Sequence, residues 1–264
     1  MDRIDSDAIA VYASGSETEL DEYEFINDVM GISGLLDAIG GLPSEPPSLY
    51  MAFEFLGPAE HEKMVILEIH VRPTGHTYLI DVNELEDLAF TTPGIRTPLT
   101  LISILEKSTI PKVFFDVAYS AHVLCRDWDI TLGGAYDLQL VEIPRPLSSD
   151  SDPIELRKSF ETEKPMTTDQ RRDWIKAQER AVQNIKHCRH RNRQVFRDML
   201  TSEVKGYCVQ NVKFVRRLWL IFDRRFEPQW KETVRADTAT RLLVIRATSC
   251  GPCFLPYSPS ETRF

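Results

Sequence analysis

A chain of 264 residues with 42% hydrophobic and 27% charged side chains has room for one sizeable α/β domain and a modest appendage. No apolar run approaches the roughly 20 residues of a membrane helix. The acidic start Met1-Asp2-Arg3 lacks a signal-peptide layout, and five irregularly spaced cysteines suit reduced thiols, so an intracellular protein, cytoplasmic or nuclear, is expected.

Residues 1–24 are acidic and rich in Ser and Gly; they read as a flexible segment able to recruit a protein partner. Over residues 25–42, Phe25, Ile26, Val29, Ile32, Leu35, Leu36 and Ile39 recur at helical spacing until Gly40-Gly41 and Pro43 stop them. Residues 49–56, 64–71 and 77–82 read as three strands of an antiparallel meander. A helix over 99–107, a strand over 113–117, a helix over 119–128 and a short strand over 135–140 follow. Thr167 with Gln170 forms a capping-box signature for a helix reaching the 190s. Two more helices are expected at about 201–226 and 230–247.

The result is an α/β domain over residues 25–248, a mixed β-sheet of antiparallel meander plus parallel strands flanked by helices, with a tail over 249–264. Charge divides along the chain: the net −9 combines a strongly acidic stretch to residue 150 with a net basic remainder. That asymmetry either marks a nucleic-acid face or is neutralised when the halves pack together. The basic run containing Lys186, Arg189, Arg191 and Arg193 supplies candidate phosphate contacts, or a solvated helix face.

Three places break the local pattern. Glu54 interrupts the apolar strand Tyr50-Met51-Ala52-Phe53-Glu54-Phe55, and alternation puts it on the same face as Ala52. Asn211 falls on the apolar stripe Val204, Tyr207, Cys208, Val215, Leu218, Trp219 and Phe222, one turn beyond Tyr207. The strand Val113-Phe114-Phe115-Asp116 runs into the helix bearing Ser120, a strand-to-helix junction of the kind that often builds sites in α/β sheets. Each also has a structural reading, as an edge-strand polar residue, a buried hydrogen bond or a simple junction.

Five ordered segments give these positions a common meaning. Pro46-Pro47-Ser48-Leu49-Tyr50-Met51-Ala52-Phe53-Glu54, Thr77-Tyr78-Leu79-Ile80-Asp81, Ile110-Pro111-Lys112-Val113-Phe114-Phe115-Asp116, Tyr136-Asp137-Leu138 and Tyr207-Cys208-Val209-Gln210-Asn211 resemble the fungal branch of the RNase D-like, DEDDy-type 3′–5′ exonuclease domain. The resemblance implies an RNase H-like sheet and phosphodiester hydrolysis by two Mg²⁺ or Mn²⁺ ions held on four carboxylates. It maps those carboxylates to Ala52, Glu54, Ser120 and Asn211, with the water-positioning tyrosine at Tyr207. Only Glu54 keeps its acid and any metal-binding capacity; Tyr207 is retained beside it. Asp116 and Asp137 become supporting or structural residues.

The resemblance therefore implies a degenerate exonuclease-like protein that binds nucleic acid, RNA or single-stranded DNA, or acts as a scaffold. Its competitors are an active exonuclease with unusual metal ligation and a protein-interaction module. Cys250-Gly251-Pro252-Cys253 has thioredoxin-like spacing, but too little chain follows it for the usual βαβ setting.

Overall fold

Alternation along the central strands sends their side chains into different cores. The computed structural model describes residues 23–56, 63–141 and 200–249, with Thr168, Asp169, Arg172, Ile175, Lys176, Glu179 and Arg180. Its strands are β1 (Tyr23–Ile26), β2 (Leu49–Leu56), β3 (Lys63–Val71), β4 (Thr77–Asp81), β5 (Lys112–Phe114) and β6 (Ala135–Asp137). They form one six-stranded sheet in the order β1-β4-β3-β2-β5-β6. The β2-β3-β4 meander is antiparallel, while β1, β5 and β6 join in parallel.

Helices are α1 (Val29–Ile39), α2 (Val82–Leu85), α3 (Asp87–Thr91), α4 (Leu101–Glu106), α5 (Val117–Trp128), α6 (Ser202–Arg225) and α7 (Trp230–Ser249). Leu49 and Met51 of β2 and Leu67, Ile69 and Val71 of β3 pack with α1, α3, α4 and α5 in the largest core. The alternate residues face α6: Tyr50 packs with Val215, Leu218 and Trp219, and Ile66 with Val204, Cys208 and Val209. Burying such an apolar side chain contributes roughly 1.5–3 kcal/mol, which fixes α6 against this face. Among the described residues no helix is long and apolar enough to cross a membrane.

Phe25 and Ile26 depart from expectation. They belong to β1, paired in register with Leu79 and Ile80 of β4, and not to a helix. The helix begins only after Asp28, whose carboxylate accepts from the Gly31 N–H at 2.8 Å; the helical spacing had simply run through the turn. Likewise 138–140 forms a 3₁₀ turn after a shorter β6. The turn before β6 depends on glycine: Gly134 has φ of +63° with the Ser108 and Ile110 carbonyls against it, and a Cβ on Gly133 would collide with the Glu106 carbonyl.

Cys125 is disulfide-bonded, contrary to the expectation of reduced thiols, because spacing carries no information on which sulfurs meet in space. Cys208 is free and buried. The described residues of the 168–180 stretch are helical as expected. Lys186, Arg189, Arg191, Arg193, the first 22 residues and Cys250 to Cys253 lie outside the described residues.

Lys112 is a buried cation in the strand next to β2. Its Nζ donates to the carbonyls of Ile104 at 2.7 Å, Ile110 at 2.8 Å and Lys107 at 3.0 Å, so it ties the end of α4 to β5. Three acceptors suit an ammonium, while burial works against the charge and pulls its pKa from 10.5 to about 7. Lys112→Met is expected to cost about 2–3 kcal/mol in denaturant titrations near neutral pH, since one buried and two part-buried carbonyls lose their donor. A depressed lysine pKa means the unfolded chain holds the proton that the folded chain releases. Wild-type stability therefore rises between the two values, and the penalty of this non-titrating variant should grow from about pH 7 to about pH 9.

Candidate functional site

The face of the sheet beneath α6 is apolar except along one seam. In the antiparallel register Ala52 lies directly across from Glu68, and Glu54 across from Ile66, with an irregularity immediately after Glu54. Ala52, Glu54 and Glu68 thus share a face, as alternation predicts for the first two. On α6, helical spacing brings Val204, Cys208, Asn211 and Val215 over them.

Glu54, Glu68 and Cys208 converge here, with one potential ligand atom from each lying within 4.8 Å of the other two. Asn211 Nδ2 donates to Glu54 Oε1 at 3.5 Å. Glu68 is 0% exposed, and neither of its carboxylate oxygens has a hydrogen-bond partner. Leaving such a group buried and unsatisfied costs about 1–3 kcal/mol, and more if it is charged.

Burial pushes the Glu54 carboxyl up. It pushes Glu68 well up, with the nearby Glu54 charge adding to the effect and the polar groups of Cys208 and Asn211 easing it. The Cys208 thiol is raised by burial first and then by both glutamates. Two carboxyls this close do not both ionise without a compensating cation. The arrangement can hold a shared proton or a cation.

The seam continues along the sheet. His70 pairs through Nδ1 with Thr77 Oγ1 at 3.0 Å, while its Nε2, the Tyr50 hydroxyl and Trp219 Nε1 have no partner. Burial, reinforced by Arg216, lowers the His70 pKa to about 3, so its imidazole is neutral at physiological pH.

The residues singled out from sequence divide into groups. Glu54 and Asn211 are in contact. Tyr207 is buried one turn earlier on α6, packed with Val65, Ile66 and Leu79. Ala52 packs against the cluster built around Tyr50 and Trp219 and carries no donor atom. Ser120 is buried on the first turn of α5.

Asp116 and Asp137 belong to a second polar group. Asp137 is 0% exposed; its carboxylate accepts from the backbone N–H of Asp116 at 2.8 Å, Val117 at 3.2 Å and Gln139 at 3.1 Å, and from Arg241 Nη1 at 2.6 Å. Asp116 takes the left-handed φ of 58° at the start of α5 and meets Arg241 Nη2 at 3.6 Å.

Glu68 and Cys208 were not picked out as candidate site residues. Glu68 gave the same signal as Glu54, an acid within an otherwise apolar strand, and Cys208 sits three residues before Asn211 on the same stripe. Their meeting depends on strand register, which residue spacing alone does not fix.

No protein-family model and no curated protein sequence matches this chain. Solved structures do. Trypanosoma brucei RNase D in complex with RNA U12 aligns at a TM-score of 0.68 and 13% identity, over 98% of this chain and 79% of that one. Brucella melitensis NrnC gives 0.55 at 13% identity, covering 90% and 100%. Escherichia coli RNase D, an exoribonuclease involved in structured RNA processing, gives 0.53 at 14% identity, covering 85% and 51%. The chain has the RNase H-like mixed-sheet fold of 3′–5′ exonuclease domains.

Proposed function

We propose that this protein is a catalytically degenerate 3′–5′ exonuclease-like domain, of the fungal kind suggested by its five sequence segments, that binds nucleic acid without degrading it. The observation that carries this reading is the set of side chains at the four positions to which the resemblance maps the carboxylates. Two hydrated Mg²⁺ or Mn²⁺ ions need several hard oxygen anions, but Ala52 offers no atom, Ser120 a neutral hydroxyl and Asn211 a neutral amide. That amide turns its Nδ2, a donor, toward Glu54. With Glu54 the one carboxylate left at those four positions, the residues present do not fit a two-ion centre even with Glu68 nearby, and no hydrolytic step is assigned to them.

Support for nucleic-acid binding is separate. The trypanosomal structure with the same fold is a complex with RNA U12, and the later part of this chain is net basic, with Lys186, Arg189, Arg191 and Arg193 the proposed phosphate contacts.

The test measures binding and Mg²⁺-dependent shortening of single-stranded RNA and DNA on one sample. Salt-sensitive binding without shortening is expected. Reversing the charges of Arg189, Arg191 and Arg193 to Glu should weaken binding at least ~10-fold and flatten its dependence on salt. Shortening abolished by Glu54→Ala would establish an active enzyme with unusual ligation. Neither binding nor shortening would leave a protein-interaction module, with the acidic first 24 residues as its recruiting segment.

A further inference from the structure

We propose that Glu54, Glu68 and Cys208 form a buried site for a single divalent cation of the zinc type, one ligand from each of β2, β3 and α6. It overlaps the two-ion centre implied by the resemblance at Glu54 alone, since Glu68 and Cys208 stand at none of that centre's four positions. It also does not rest on nucleic-acid binding.

Two observations support it. The three ligand atoms lie within 4.8 Å of one another. A tetrahedral zinc with thiolate and carboxylate ligands spaces those atoms roughly 3.3–3.7 Å apart, so small side-chain rotations close the site. Glu68 is 0% exposed and neither of its oxygens makes a geometrically sound hydrogen bond, although the Cys208 thiol and the Asn211 amide lie close enough to influence its carboxyl. A shared proton links only the two carboxyls, whereas a cation engages all three side chains at once.

The ligand types select the ion. A thiolate favours zinc or a similar borderline metal over Mg²⁺ or Ca²⁺. Glu54, the less buried member, marks the side of entry, and Asn211, in contact with Glu54 Oε1, acts as a positioning residue. The space for Glu68 comes from Ala52, its cross-strand neighbour, which has no side chain long enough to compete.

The full chain, stripped of metal by chelation, would be titrated with Zn²⁺ and with Co²⁺ as a spectroscopic stand-in. The expected result is one equivalent bound, a thiolate-to-cobalt charge-transfer band in the near ultraviolet, a raised melting temperature with Zn²⁺, and none of these with Mg²⁺. Glu68→Gln and Cys208→Ser should each weaken Zn²⁺ binding at least ~10-fold, and Cys208→Ser should abolish the band.

Glu68→Gln is nearly isosteric and removes a buried acid, so it should melt no lower than wild type without metal. It decides the matter alone if Cys208→Ser fails to fold. Absence of binding overturns the proposal, as does binding unchanged by these variants, which would place the ion on other cysteines or histidines. Zinc binding in a protein that ignores oligonucleotides would refute only the proposed function.

Discussion

The combined variant Ala52→Asp, Ser120→Asp, Asn211→Asp is expected to shorten a single-stranded oligonucleotide from its 3′ end in Mg²⁺ at least ~10³-fold faster than wild type. The estimate treats each restored anion as worth no less than the 10–100-fold typical of groups that merely support a metal ligand. The fold needed to present two of them is in place, since Ala52 and Glu54 share a face of β2 and α6 carries position 211 above Glu54. The structure adds a complication that the sequence did not show. A carboxylate at position 52 would stand directly across from Glu68, and like charges in that relation destabilise a strand pair by up to about 1 kcal/mol, more when buried. The metal-free variant should therefore melt below wild type and recover with Mg²⁺, and adding Glu68→Gln should relieve the conflict. A folded variant that gains no activity would show that substituted ligands are not what separates this chain from a nuclease. Wild-type activity equal to that of the variant would show that it was never degenerate.

The β2-β3-β4 meander and α6 were legible because alternation and the 3.6-residue period report directly on which face is buried. Tyr50, Leu67 and Trp219 each lie where their pattern places them. Phe25 and Ile26 were misassigned because four residues of alternation sit next to a true helix, and β1 exists only through its pairing with β4. Glu54 and Asn211 were found as polar residues on apolar faces. Glu68 and Cys208 were not, because their significance lies in a register between strands and a helix more than 130 residues later in the chain. Pattern finds the face of an element; only packing finds the partner.

Asp137 supplies the sharpest stability contrast. Burial pushes its carboxyl up, against the opposing influence of Arg241 and of backbone N–H groups. Those donors come from the start of α5, from the turn after β6 and from α7, while the Asp137 N–H donates to Thr238 Oγ1 of α7 at 3.0 Å. One fully buried side chain thus joins three elements and holds Asp116 in its left-handed turn, which sets where α5, and Ser120 one turn along, begins. Asp137→Ala is expected to cost about 3–5 kcal/mol in denaturant titrations, as removing one partner of a buried charge pair does, because three N–H groups lose their acceptor and Arg241 keeps only Gln139 Oε1 and the longer contact with Asp116. Asp116 differs: its side chain is 49% exposed and its contact with Arg241 is 3.6 Å long, so Asp116→Asn, which tolerates the same backbone angle, should cost less than about 1 kcal/mol. Equal losses at the two positions would contradict this assignment. A loss at Asp116 confined to metal or oligonucleotide binding would place it with Glu54 instead of with the scaffold.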